Sequence, residues 1–161
     1  MNDVRVHTFL KSTAVSTTAE ALFVWHEAPG AFERLTPPWE RVRVLKLQGG
    51  IRDGATISLA VGRWPFALRW EIEHRDYTAG RSFTDVQIRG PFVSWTHLHR
   101  MIPDGTSCLL EDRIDYVLPF GWLGAAIGGP FIKDKLKRMF DYRHNVTRRA
   151  FMTPDRANAR G

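Results

Sequence analysis

Apolar and polar residues alternate along most of this chain, and near its end a spacing of three to four residues takes over. Val4 to Val15 alternates and carries Val, Thr and Phe, which predicts a first strand. In "STTAEALFVWHEAPG", Thr17 or Thr18 can cap a helix with Glu20 in its first turn. Ala21, Leu22, Trp25 and Ala28 would form its apolar stripe. Pro29 and Gly30 break it, "AFERL" makes a second short helix, and "TPPW" ends that one. From Arg41 the alternation resumes in "RVRVLKL", "ATISLAV", "FALRWEIEH", "RSFTDVQIR", "FVSWTHLHRMI" and "SCLLEDRIDYVLP", each bounded by a turn rich in Gly, Pro or Asp. In the third of these, Arg69, Glu71 and Glu73 face one way and Leu68, Trp70 and Ile72 the other.

From about Leu123 the period is helical. Ile132, Leu136, Met139, Phe140, Val146 and Phe151 recur mostly three or four apart, with Lys and Arg between them. Pro130 suits a helix start, so the end of the chain reads as a turn followed by one long helix, or as one kinked helix. Strand, two short helices, six antiparallel strands and a long C-terminal helix make an α+β domain with the helix across one face of a curved sheet. A single domain over residues 1–153 and a flexible tail over 154–161 follow. The space between sheet and helix is the expected ligand site.

The turn "PDGT" allows a register to be worked out. With Asp104 and Gly105 as the two turn residues, His99 lies opposite Leu110, His97 opposite Asp112, and Trp95 opposite Ile114. One face then carries Trp95, His97, His99, Met101, Cys108, Leu110, Asp112, Ile114 and Tyr116, and reads as the buried one. The other carries Ser94, Thr96, Leu98, Arg100, Leu109, Glu111, Arg113 and Asp115.

A His facing a carboxylate on an inner wall can act as a general base, or the pair can simply satisfy two polar groups in a partly wet interior. No nucleophile accompanies it: Cys108 stands alone and no serine occupies an elbow motif. Two histidines and an aspartate reach the minimum for a catalytic metal. However, His99 is placed opposite a leucine and no supporting shell is evident, so neither metal nor cofactor is expected. Asp85 and Gln87 are further wall candidates whose facing depends on the length of the Gly90–Pro91 turn. The glycines of "LGAAIGGP" lack any phosphate-loop context.

Composition adds little to this until charge is considered. Hydrophobic residues make up 43% and charged residues 25%, an ordinary globular balance, and six Trp and ten Phe need a large core or an aromatic pocket. The net charge of +6 gathers toward the C-terminus, where Lys133, Lys137 and Arg138 suggest nucleic acid or anionic membrane as a partner, or a solvated helix face. No basic-aromatic RNA motif or zinc spacing supports specific nucleic-acid binding. One cysteine, no leader-like start and no membrane-spanning run point to a cytoplasmic protein.

The stretches "GAFERLTPPWE", "RSFTDVQIRGPFVSWTHLH", "LLEDRIDYVLPFG" and "MFDYRH", between Gly30 and His144, resemble the START-like (SRPBCC) superfamily, and within it the bacterial polyketide cyclase/dehydrase-like branch. The resemblance implies a helix-grip fold: a seven-stranded antiparallel sheet gripping the C-terminal helix, two small helices closing one end, and an internal cavity. Relatives bind lipids, sterols, quinones, plant hormones or polyketide intermediates, and some catalyse cyclisation and dehydration. Some carry a nucleotide-sugar-epimerase-like domain, which these 161 residues do not include.

The expectation is therefore a protein enclosing a hydrophobic or amphipathic small molecule. Trp70, Trp95, Leu110, Ile114 and Phe140 would offer apolar surface, and His97, His99, Asp112 and Tyr116 would orient a polar end. The alternative is a cyclase or dehydratase with His97 as base, Asp112 orienting it, and Tyr116 donating to a developing enolate. Oligomeric state stays open between monomer and homodimer.

Overall fold

The computed structural model describes residues 5–152. The expected tail at 154–161 and the start of the first strand at Val4 lie outside the described residues. The chain runs β1 (His7–Val15), α1 (Ala19–Glu27), α2 (Ala31–Leu35), β2 (Val42–Gln48), β3 (Thr56–Val61), β4 (Leu68–Thr78), β5 (Ser82–Arg89), β6 (Ser94–Asp104), β7 (Ser107–Val117) and α3 (Gly121–Ala150). The strands form one antiparallel sheet in the order β1-β7-β6-β5-β4-β3-β2.

Helix α1 starts where the cap predicts, with the Thr18 hydroxyl accepting from the Ala21 N–H at 3.2 Å. Its buried face is Ala19, Leu22, Phe23 and His26, at helical spacing. Ala21, expected in the stripe, is exposed, because Phe23 and Leu22 together turn the helix toward the sheet. Helix α3 is one continuous element with Pro130 inside it, and Leu136, Phe140, His144 and Thr147 make its buried row.

Antiparallel alternation gives the sheet two distinct ends. The β4–β5 turn, the β6–β7 hairpin and α1 share one. The β3–β4, β5–β6 and β7–α3 connections share the other with the start of β1. Under α1, at the hairpin end, pack Val15, Leu22, Phe23, Phe83, Met101, Cys108 and Leu110. Under α3 pack Trp95, Ile114, Tyr116, Leu118, Leu136 and Phe140, and on the far strands Ile57, Leu59 and Ile72. Burying a ring such as Phe140 contributes about 2–3 kcal/mol, so the α3 row alone accounts for much of the grip.

Candidate functional site

The inner face of β6 and β7 carries the set that alternation predicts: Trp95, His97, His99, Met101, Cys108, Leu110, Asp112, Ile114 and Tyr116 are all buried. The pairing differs from the expected one by two residues. Asp104 pairs with Ser107, so the loop is Gly105–Thr106, His99 lies opposite Asp112, His97 opposite Ile114, and Trp95 opposite Tyr116. Gly105, at φ 59, takes the first loop position, where primed turns demand a left-handed residue, and the Ser107 hydroxyl donates to the Asp104 carbonyl at 2.8 Å. A slip of two residues changes every partner and no face, which is why the buried set survives.

The corrected register brings together more than one His–Asp pair. Asp112 accepts from three imidazoles: His97 Nε2 at 2.8 Å and His99 Nδ1 at 2.8 Å on Oδ1, and His144 Nε2 at 2.7 Å on Oδ2. His144 reaches in from α3 and meets Thr13 Oγ1 of β1 through Nδ1 at 2.8 Å. Asp85, paired with His97 across β5 and β6, is thereby on the inner face. It accepts from His74 Nδ1 at 2.7 Å and His99 Nε2 at 3.1 Å. Gln87 instead braces the β5–β6 turn, its amide donating to the Phe92 carbonyl at 2.8 Å. Strands β1, β4, β5, β6 and β7 and helix α3 thus each place a residue in one buried polar network.

The electrostatics follow from these contacts. Burial alone would disfavour charge on His99, but the carboxylates of Asp85 and Asp112 at its two ring nitrogens outweigh burial and raise it to about 9. Burial, together with the positive His99 alongside, pushes His97 down to about 4, so His97 is neutral near pH 7. Burial would also raise the Asp112 carboxyl, but the charge on His99 and the hydrogen bonds from His144, His97 and His99 hold it well below its usual range. Asp85 is lowered in the same way, by His99 and His74 against burial.

Beyond Phe140, whose ring meets His97 edge-on at 5.2 Å, the wall turns aromatic. Trp70 stands edge-on to Trp95 at 5.1 Å, Phe92 lies 4.8 Å from Trp95, and His7 stacks on Tyr116 at 5.3 Å. Two buried nitrogens here, Trp70 Nε1 and His7 Nε2, have no hydrogen-bond partner among the described residues. Burial raises the Tyr116 phenol.

Of the residues expected to line a site, Trp70, Trp95, Ile114, Tyr116 and Phe140 come together under α3. Leu110 belongs to the core beneath α1. The alternation of β4 carries past Ile72 to His74, and the stripe of α3 carries past Phe140 to His144. Both were legible as inward positions, but each stands between polar neighbours in sequence, Glu73 and Arg75 or Arg143 and Asn145, and so reads like part of a solvated stretch. Two surface clefts of about 400 and 440 Å³, beside Trp39 and Tyr142 and beside Val42 and Trp64, lie outside the space between sheet and α3. On α3 the cations are partly offset: Lys135 pairs with Glu40 at 2.9 Å and Lys137 with Asp141 at 2.8 Å.

No protein-family model and no curated protein sequence matches the chain. Solved structures do. A nucleoside-diphosphate sugar epimerase from Corynebacterium glutamicum superposes with a TM-score of 0.70 at 23% identity, over 88% of this chain, which spans only 28% of the epimerase's length. The Zhui aromatase/cyclase from Streptomyces sp. R1128 gives 0.69 at 14% identity, over 91% of this chain and 93% of that one. A START superfamily protein from Mycobacterium smegmatis gives 0.64 at 16% identity, over 90% and 97% of the two chains. The chain has the helix-grip fold of the START-like superfamily.

Proposed function

We propose that this START-like domain binds a hydrophobic or amphipathic small molecule between its sheet and α3, against the aromatic half of the inner wall. The observation that carries this reading is the pair of unpartnered buried nitrogens, Trp70 Nε1 and His7 Nε2, set among Trp95, Phe92 and Tyr116. A buried indole N–H without an acceptor costs about 1–3 kcal/mol, and a bound molecule with an oxygen acceptor would relieve that cost. Rings on the same wall supply apolar contact, while Tyr116 and the neighbouring His97 would orient a polar group. Similarity to an aromatase/cyclase and to the START fold supports a small-molecule partner. The buried, unpaired Cys108 suits a reducing, cytoplasmic setting, and among the described residues no helix is long and apolar enough to cross a membrane.

A second reading is a cyclase or dehydratase using His97, favoured by the 2.8 Å contact between His97 Nε2 and Asp112. Against it, His97 is held neutral to about pH 4 and is a weak base there. Native mass spectrometry of the purified protein, followed by solvent extraction, decides between them. A stoichiometric apolar compound, released unchanged and retained less well by Trp70→Phe, supports binding. If the compound is instead converted, and His97→Ala slows the conversion at least about 100-fold, the enzyme reading replaces it. Failure both to co-purify a compound and to take up an apolar fluorescent dye such as anilinonaphthalene sulfonate overturns both.

A further inference from the structure

We propose that Asp85, His97 and His99 form a binding site for one divalent first-row transition-metal ion. The proposal goes beyond small-molecule binding and does not depend on it. His97 and His99 sit two residues apart on β6, and Asp85 faces them from β5, so one donor atom from each converges on the same point. Their donor atoms all lie within 4.8 Å of one another, with Asp85 Oδ2 3.1 Å from His99 Nε2 and 3.7 Å from His97 Nδ1. Ligands bonded to a Zn-like ion at about 2.1 Å stand roughly 3.0 Å apart in octahedral and 3.4 Å apart in tetrahedral geometry, and both Asp85 spacings lie close to these values.

The surrounding residues have the form that metal ligands require. A histidine that binds a metal through one nitrogen commonly donates through the other to a carboxylate, which fixes its tautomer and aim. Here a single oxygen, Asp112 Oδ1, accepts from both His97 Nε2 and His99 Nδ1 at 2.8 Å, leaving His97 Nδ1 and His99 Nε2 directed toward Asp85. Asp112 is itself held by His144, and His144 by Thr13. The other oxygen of Asp85 is held by His74 at 2.7 Å. Every ligand therefore has a partner that orients it.

Charge agrees with geometry: Asp85 and Asp112 together match a divalent ion. On binding, the proton between His99 Nε2 and Asp85 leaves to solvent and the ion takes its place. Imidazole with carboxylate suits ions such as Zn²⁺, Fe²⁺ or Co²⁺, and excludes the all-oxygen preference of Ca²⁺. The Asp85 side chain keeps 18% exposure, so this ligand is in part open to solvent. Three protein ligands leave a coordination position for water or for an oxygen donor of a bound molecule.

The test is titration of chelator-treated protein with Co²⁺, read by visible absorption, and with Zn²⁺, read by competition against a chromophoric chelator. One ion per chain is expected. Asp85→Asn and His99→Gln should each weaken affinity by about tenfold or more, Asp112→Asn should do so by about 10–100-fold, and His26→Gln should leave it unchanged. Should the cluster variants fail to fold by circular dichroism, Co²⁺ in the wild-type protein provides the same answer by NMR: paramagnetic shifts should appear on the imidazole N–H protons of His97 and His99. Binding no tighter than about 1 mM, binding that survives in folded Asp85→Asn/His99→Gln protein, or shifts centred elsewhere would overturn the proposal.

Discussion

The two halves of the inner wall handle polarity in opposite ways. Toward the hairpin end, six side chains, His74, Asp85, His97, His99, Asp112 and His144, satisfy one another through contacts of 2.7 to 3.1 Å. Past Phe140, rings dominate, and Trp70 Nε1 and His7 Nε2 find no partner among the described residues. A fully paired polar cluster is costly to build and rigid once built, so it specifies a geometry. On the proposed function, the aromatic wall, where the Trp70 N–H lacks an acceptor among the described residues, is the half open to a guest. One sheet thus carries a preorganised half and a receptive half, divided by a single phenylalanine.

Breaking the preorganised half should have the largest effect. Asp112→Leu leaves three imidazoles without their acceptor and should cost about 3–5 kcal/mol in urea unfolding. A loss below about 1 kcal/mol would mean that the network is not a unit.

Acid should act next, through a buried histidine outside that network. Burial holds His26, on α1, down to about 4, whereas the unfolded chain binds that proton near 6.5. The unfolded state therefore takes up the proton first, and stability should fall as pH drops from about 6.5 to 4, by on the order of 3 kcal/mol from this residue. His26→Gln, which can still donate to the Leu22 carbonyl, should gain stability relative to wild type across that window and show no gain at pH 8. Parallel unfolding curves at both pH values would refute this.

The divider comes third. Phe140→Leu should cost about 1–2 kcal/mol and loosen both halves, seen as faster exchange of amides on β1 as well as β6. The receptive half should respond least in stability. Trp70→Phe keeps the ring and deletes the orphan N–H, so unfolding should shift by less than about 1 kcal/mol, while affinity for a co-purified molecule falls about fivefold. If stability drops sharply and binding does not change, Trp70 is packing alone.

Much of this molecule follows from local pattern. Period-two alternation marks the strands and the inward set on β6 and β7, because a strand has only two faces and one of them is charged. Helix α2 spans "AFERL", and Thr18 caps α1, as turn and cap chemistry dictate. The aromatic half was legible for the same reason: Trp70, Trp95, Tyr116 and Phe140 are large, apolar and inward by period. What alternation cannot determine is which residue faces which. The hairpin admitted two registers with identical faces, and only the left-handed Gly105 at the first loop position selects the one that sets Asp112, rather than Leu110, beside His99. The expectation of no metal rested on that leucine and on the absence of any supporting shell in the sequence. Tertiary structure alone decided the rest: a bend of the sheet and the grip on α3 bring His74, Thr13 and His144, scattered over 131 positions of chain, onto two carboxylates. Periodicity reports the direction of a side chain from its own backbone, and convergence depends on how separate backbones are stacked.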